Sequence, residues 1–252
     1  MARYEVEGKV AFITGGGSGI GAAVARVLAG SGAAVALADI SLDAAEAVAQ
    51  EIEGSGGTAM AVQLDVADPD AVDRVVQGVA GSLGGLDIGI NNAGITGGGG
   101  LAGEYDNDSW RRVMSINLDG VFYCQRAEIQ AMLAAGRGGA IVNLASVLGQ
   151  VGTGRSPGYV AAKHGVVGLT KAAAIGHATD GIRVNSVGPG YIDTPLLAAV
   201  PSERMAEIAA LHPLGRLGRA EEVAELIAWL ASPAASFATG AYYPVDGGYL
   251  AV

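Results

Sequence analysis

The chain has a single cysteine, three histidines and three phenylalanines, and aromatic residues make up only 5% of its 252 positions. With Cys124 alone, no internal disulfide can form and no cysteine-based metal cluster can be assembled. Its neighbours Val121, Phe122 and Tyr123 mark it as a buried structural thiol. No apolar run reaches the roughly eighteen residues that a membrane span needs. The N-terminal stretch Met1 to Lys9 carries Glu5 and Glu7 and lacks the apolar core of a signal peptide. Basic residues are also scarce. There are 15 Lys and Arg against 25 Asp and Glu, a formal net charge of −10. No run of Lys and Arg exists, which argues against nucleic acid or an anionic membrane surface as a partner. These absences lead to the expectation of a cytoplasmic protein.

What is present is a large apolar fraction, 50% of residues, with strongly periodic punctuation. That excludes a disordered chain and fits one α/β domain spanning residues 1–252. Val10–Ile13 reads as a buried strand, and Thr14 to Gly21 follows it as a glycine-rich loop. A helix over Ala22–Leu28 ends near Gly30. Strand, glycine loop and helix together aim backbone N–H groups at a pyrophosphate. Ala34–Ala38 is a second strand, and Asp39 stands at its end, eighteen residues after Gly21. That is near the spacing of an acid that binds a ribose diol and repels a 2′-phosphate. No Arg or Lys sits beside it, so the cofactor predicted is NAD rather than NADP.

The alternation continues. Helices are expected over Leu42–Ile52 and from Asp68-Pro69 to about Leu83, with Asp68 as N-cap. Strands are expected at Met60–Leu64, Leu86–Ile90, Ala140–Ala145, Ile182–Val187 and Tyr242–Asp246, with Pro244 placing the last at a sheet edge. One long helix is expected over Ser109–Ala135, with Asn117 unfavourably inside it. Two shorter ones follow at about Ser202–Leu211 and Ala220–Ala231. The fold predicted is a doubly wound parallel sheet, a Rossmann fold of about seven strands with helices on both faces. Polar residues cluster at strand ends: Thr14, Asp39, Asp65, Asn91, Ser146 and Pro189. Ligands bind at the carboxyl ends of the strands in such sheets.

Tyr159 and Lys163 lie four residues apart at the head of a further helix, on one face. An ammonium about 4 Å from a phenol, at an effective dielectric of about 20, favours the phenolate by roughly 4 kcal/mol. That upper estimate would bring the phenol near neutral pH, where a general acid-base works best.

The pieces Thr14-Gly15-Gly16-Gly17-Ser18-Gly19-Ile20-Gly21, Asp65-Val66, Asn91-Asn92-Ala93-Gly94, Asn117, Ser146, Tyr159-Val160-Ala161-Ala162-Lys163, Pro189-Gly190 and Thr194 occur in this order along essentially the whole chain. In this pattern the sequence resembles the short-chain dehydrogenase/reductase family. The resemblance implies a catalytic set of Asn117, Ser146, Tyr159 and Lys163. Tyr159 would be the general acid-base, Lys163 would lower its pKa and bind the nicotinamide ribose, and Ser146 would bond the substrate oxygen. Asn117 would hold a water that links Lys163 to solvent. Gly15, Ser18, Gly19, Ile20 and Gly21 would form the pyrophosphate loop. Asp39 and Ile40 would hold the adenosine ribose, and Asp65 and Val66 the adenine. Asn92, Ala93 and Gly94 would line the cleft, and Pro189, Gly190, Ile192 and Thr194 the nicotinamide end. The four-residue Tyr–Lys spacing differs from the longer gap of the family's enoyl reductases.

The substrate pocket is expected from Ile95–Tyr105, Val147–Ser156 and Tyr191–His212. It would offer Leu101, Val147, Leu148, Val151, Tyr191, Leu196, Leu197, Val200 and Met205. Arg155 and Arg204 are the only arginines there, and neither is clearly aimed inward. A neutral, partly hydrophobic secondary alcohol or ketone is therefore expected, with no metal. His212 is expected to be structural, and His164 to point away from Tyr159. The resemblance implies a homotetramer built on the helices around Trp110–Ala135 and Pro157–Ala178 and on the last strand. Two rivals are a reductase of carrier-bound 3-oxoacyl groups using NADPH and a non-catalytic dinucleotide sensor. Asp39 and the net charge oppose the first, and the complete Asn117, Ser146, Tyr159, Lys163 set opposes the second.

Overall fold

The computed structural model describes residues 4–198 and 200–252; Met1 to Arg3 of the N-terminal stretch lie outside the described residues. The chain alternates β1 (Val10–Thr14), α1 (Gly19–Ala29), β2 (Ala34–Asp39), α2 (Leu42–Gly54), β3 (Thr58–Gln63), α3 (Pro69–Leu83) and β4 (Ile88–Asn91). Then come α4 (Asn107–Met114), α5 (Gly120–Ala135), β5 (Gly139–Leu144), α6 (Pro157–His177) and β6 (Ile182–Pro189). The last part contains β7 (Ile192–Asp193), α7 (Ser202–Ala210), β8 (Gly218–Arg219), α8 (Ala220–Ala231) and β9 (Tyr242–Val245).

Seven strands form one parallel sheet in the order β3-β2-β1-β4-β5-β6-β9. The order reverses between β1 and β4, and that switch point opens a crevice at the carboxyl ends of the strands. Each strand feeds both sides of the sheet, because successive side chains alternate. In β1, Ala11 and Ile13 pack with α1, α2 and α8 on one face, while Val10 and Phe12 pack with α3 and α5 on the other. In β2, Val35 and Leu37 join the first core, and Ala36 and Ala38 the second. Cys124 is buried in that second core. Pro244 sits in β9, which is the edge strand as the proline requires. Asp68 caps α3 by accepting from Asp70 N and Ala71 N, both at 3.0 Å, and Pro69 opens the helix.

Three features depart from the sequence reading. The third strand begins two residues earlier than expected and stops at Gln63, and the fourth starts only at Ile88. The long helix is interrupted by a π-helical turn at Ser115–Asp119, where Gly120 N–H reaches back to Ser115 O. And β7 pairs with β8 in a separate two-stranded sheet that no periodicity marks.

Candidate active site

The loop after β1 is shaped by glycine. Gly15 and Gly19 have φ of 63° and 51°, which other residues rarely adopt. A Cβ on Gly21 would collide with Gly15 O and come within 2.7 Å of Asn92 Nδ2. So α1 can start right against the loop, with the N–H groups of its first turn facing the crevice. Asn92 ties β4 to this loop: its Nδ2 donates to Thr14 O at 3.0 Å and to Gly15 O at 3.1 Å. Thr14 Oγ1 in turn accepts from Asn92 N and Ala93 N, at 3.0 and 3.1 Å.

A cleft of about 450 Å³ runs over this loop. It is lined by Gly15, Ser18, Gly19 and Ile20, by Asp39 and Ile40, by Asp65 and Val66, and by Asn92, Ala93, Gly94 and Thr194. The Asp39 carboxylate is pinned by two backbone donors, Gly17 N to Oδ2 and Ser41 N to Oδ1, each at 3.0 Å. Arg112 and Ile116 line the cleft as well, and the sequence reading missed both. Ile116 lies in the π-helical turn and Arg112 just before it, and the helical pattern alone does not show which face that turn presents. Among the described residues the cleft combines the glycine loop, with its helix N-terminus, and a carboxylate held by backbone donors. That donor set fits a nicotinamide dinucleotide.

A second cavity, of about 460 Å³, continues from the first through Ile20, Asn92, Gly94, Thr194 and Leu196, which line both. Ser146, Tyr159 and Lys163 meet here, with Pro189, Gly190 and Ile192. Ser146 follows β5, and its Oγ accepts from Leu148 N at 3.2 Å. Its carbonyl accepts from Tyr242 Oη at 2.9 Å. Tyr242 is thus a support for Ser146 that lies far away in sequence, with no local signal to reveal it. Lys163 is 3% exposed, and its Nζ donates to Leu144 O at 2.6 Å. Burial lowers its pKa to about 8.

The expected effect of Lys163 on Tyr159 is not what the structure shows. The ammonium lies 5.6 Å from the ring centroid, and one of its N–H groups donates to Leu144 O. Part of Tyr159 opens onto the cavity, yet desolvation raises its pKa, the hydrogen bond with Ser146 opposes this, and Tyr191 adds to the rise. Tyr159 is therefore a neutral phenol at neutral pH, ready to donate.

Asn117 is fully buried in the π-helical turn behind the cavity rather than on its wall. Its Nδ2 donates to Ile95 O at 2.7 Å, and its Oδ1 accepts from Ile95 N at 2.8 Å. A Cβ on Gly94 would lie 3.2 Å from Asn117 Oδ1 and 3.8 Å from Lys163 Nζ, so Gly94 lies between the two groups with little room for a side chain. Gly21 likewise acts from underneath and does not line either cleft.

The three expected pocket segments do converge, with Val147, Leu148, Tyr191, Leu196, Leu197 and Val200 on the wall. Leu101, Val151 and Met205 are not among the lining residues, and Leu101 and Val151 are exposed to solvent. Arg155 and Arg204 both line the cavity, a position the sequence could not settle. His212 is structural: Nε2 accepts from Tyr191 N at 3.1 Å, which leaves Nδ1–H to donate to Ile208 O at 3.1 Å. His164 is exposed, with Nδ1 2.9 Å from Val160 O in its own helix.

A family model described as enoyl-(acyl carrier protein) reductase matches residues 15–250. The chain is 51% identical to a cyclohexanol dehydrogenase of Acinetobacter sp. (strain SE19), over 96% of this chain and 94% of that one. The chain belongs to the short-chain dehydrogenase/reductase family. It is 50% identical to the cis-4-hydroxycyclohexanecarboxylate dehydrogenase of Sinomonas cyclohexanicum, over 97% of each chain. A crystal structure of a short-chain type dehydrogenase/reductase from Mycobacterium marinum superposes with a TM-score of 0.93 at 41% identity, covering 97% of this chain and 96% of that one. This dehydrogenase is an oxidoreductase that interconverts secondary alcohols and ketones with a nicotinamide dinucleotide. Among its described residues no helix is long and apolar enough to cross a membrane.

Proposed function

We propose that the enzyme is an NAD-dependent dehydrogenase of a secondary alcohol carried on a hydrophobic ring, with Ser146, Tyr159 and Lys163 as its reacting set. The observation that carries this is their convergence at the junction of the dinucleotide groove and a largely apolar cavity. A bound nicotinamide supplies the acceptor or donor of the hydride. The protein handles the proton and the oxygen. In ketone reduction Tyr159 Oη donates its proton to the carbonyl oxygen as that oxygen gains charge. Ser146 Oγ gives a second hydrogen bond to the same oxygen, stabilising the developing charge in a dry site. In alcohol oxidation the roles reverse: Tyr159 must first lose its own proton, and the phenolate then takes the proton of the alcohol hydroxyl. Lys163, buried beside Gly94 at the junction of the two clefts, would position the nicotinamide ribose and assist proton return to solvent.

The preference for NAD rests on Asp39. Its carboxylate is held toward the loop by Gly17 N and Ser41 N, where a 2′-phosphate would meet it head-on. Among the described residues Arg112 is the only Lys or Arg lining that groove, and it sits on α4, just before the turn that carries Ile116. The ring preference rests on the walls, where Leu148, Leu196, Leu197, Val200 and Ile208 supply aliphatic contact, and on the ring alcohols named for the two relatives.

Single-domain organisation and a homotetramer belong to the same proposal. Trp110, Phe122 and Leu133 are exposed on α4 and α5, and Ile175 on α6, an apolar surface that suits helix-to-helix assembly. Light scattering tests the assembly: a monomer at micromolar concentration would count against it. The test of the function is turnover of cyclohexanol and related ring alcohols, followed at 340 nm. Absence of turnover alongside tight NADH binding would favour a dinucleotide sensor instead.

A further inference from the structure

The enzyme is rich in acids, 25 Asp and Glu against 15 Lys and Arg. Yet no Asp or Glu lines the substrate cavity, while Lys163, Arg155 and Arg204 do. Elsewhere six arginines are matched with carboxylates, Arg26 with Glu51, Arg111 with Asp108, Arg126 with Asp73, Arg137 with Asp87, and Arg216 and Arg219 with Glu222, while Arg74, Arg112 and Arg183 have no carboxylate partner among the described residues. Arg155 and Arg204 form no ion pair and no side-chain hydrogen bond among the described residues. What sets Arg155 and Arg204 apart is that both line one cavity with no lining carboxylate among the described residues.

Their placement is built rather than incidental. Arg155 lies in the β5–α6 connection, and its carbonyl accepts from Gly100 N at 3.0 Å, which ties that connection to the glycine run at the rim. It stands just before Ser156, the residue that begins α6 ahead of Tyr159. Arg204 lies on α7. It lines the same cavity as Tyr191 and the catalytic phenol of Tyr159. Leu148, Leu197 and Val200 supply an apolar stretch of the same cavity.

We infer that Arg155 and Arg204 form an anion subsite that holds a carboxylate on the substrate, at the end of the molecule remote from the carbinol carbon. The preferred substrate class is then a hydrophobic hydroxy acid or oxo acid rather than the bare ring alcohol. This rests on the secondary-alcohol reading above. A guanidinium fork matches a planar carboxylate through two parallel N–H donors. Both arginines are exposed, so each pair is weak, and together they are worth about tenfold in kcat/KM.

The experiment compares 4-oxocyclohexanecarboxylate with cyclohexanone, each with NADH, in the wild type and in the Arg155→Gln/Arg204→Gln double variant. The readout is the ratio of the two kcat/KM values, which cancels general damage to the enzyme. The ratio is expected to favour the carboxylate at low salt, to shrink as NaCl is raised, and to fall about tenfold in the double variant. A ratio at or below one in the wild type, or one the double variant leaves unchanged, overturns the subsite. Turnover of cyclohexanone without carboxylate preference would refute the subsite and leave the secondary-alcohol reading standing. If neither ketone reacts, that reading fails, and the subsite is judged by thermal shift with 4-oxocyclohexanecarboxylate and NADH. A shift lost in the double variant supports it, and no shift in the wild type overturns it.

Discussion

Glu128 is completely buried beneath the sheet, and its carboxyl has a pKa raised to about 8 by desolvation, against the opposing effect of a hydrogen bond from Asn91. Asn91 Nδ2 donates to Glu128 Oε2 at 2.9 Å and to Asn143 Oδ1 at 3.0 Å. Asn143 Nδ2 continues the network to Gln125 Oε1 and Thr170 Oγ1, at 2.8 and 3.0 Å. Gly89 makes room for the carboxyl, because a Cβ there would strike it. Glu128 Oε1 and Asn91 Oδ1 have no hydrogen-bond partner among the described residues. The unfolded chain ionises Glu128 from about pH 4.5, while the folded protein keeps it neutral up to about pH 8. Stability contributed by this group is therefore fully present below pH 4.5 and is lost progressively as pH rises to about 8. At 1.36 kcal/mol per pH unit, the loss is about 1 kcal/mol at pH 5.5, about 3 at pH 7 and about 4 at pH 8. Glu128→Gln keeps the shape and removes the titration. It is expected to raise stability by about 3 kcal/mol at pH 7, a gain that nearly vanishes toward pH 5. For a chain of this size that is a Tm rise of roughly 6–10 °C. Urea or thermal unfolding from pH 5.5 to 8 measures it. A pH-independent difference, or destabilisation throughout, would refute the claim that a neutral acid sits in this network.

Three other outcomes follow from the site. Tyr159→Phe removes only the hydroxyl, so kcat/KM should fall by about a thousandfold while NADH fluorescence still reports binding; equal loss of both would instead indicate structural damage. Gly21→Ala places a Cβ against Gly15 O and Asn92 Nδ2 and should abolish NADH binding by calorimetry with the fold retained by circular dichroism; wild-type affinity would contradict the phosphate-loop geometry. His212→Leu leaves the Tyr191 N–H without its acceptor and should cost about 1–3 kcal/mol and raise KM more than it lowers kcat, measurable by urea unfolding and steady-state kinetics. A variant with unchanged stability and KM would deny His212 its supporting role.

The sheet was legible because its strands are short apolar runs punctuated by Gly, Asp, Asn and Ser, and because each helix begins or ends at a recognisable residue, such as Asp68-Pro69 in α3. The site was legible because its polar residues fall at strand ends. What escaped the sequence is non-local. The β7–β8 pair joins Ile192–Asp193 to Gly218–Arg219 through tertiary contact alone. Tyr242 supports Ser146 across 96 positions. The π-helical turn that carries Asn117 has an ordinary helical sequence, and Arg112 is brought to the groove beside it. Spacing placed Lys163 on the face of Tyr159 but could not foresee that its ammonium would donate to Leu144 O and that burial would govern the phenol.

The central claim is that Ser146, Tyr159 and Lys163 handle the oxygen and proton while a nicotinamide cofactor chosen by Asp39 takes the hydride of a ring alcohol. A 2′-phosphate about 5 Å from that carboxylate, at an effective dielectric of about 20, is disfavoured by about 3 kcal/mol, or roughly a hundredfold. The most direct measurement is the initial rate at 340 nm with cyclohexanol and either NAD or NADP. The account predicts turnover with NAD and a kcat/KM for NADP lower by about a hundredfold. A preference for NADP would contradict the role of Asp39 and bring forward the carrier-dependent reductase, and absence of turnover with both would contradict the account as a whole.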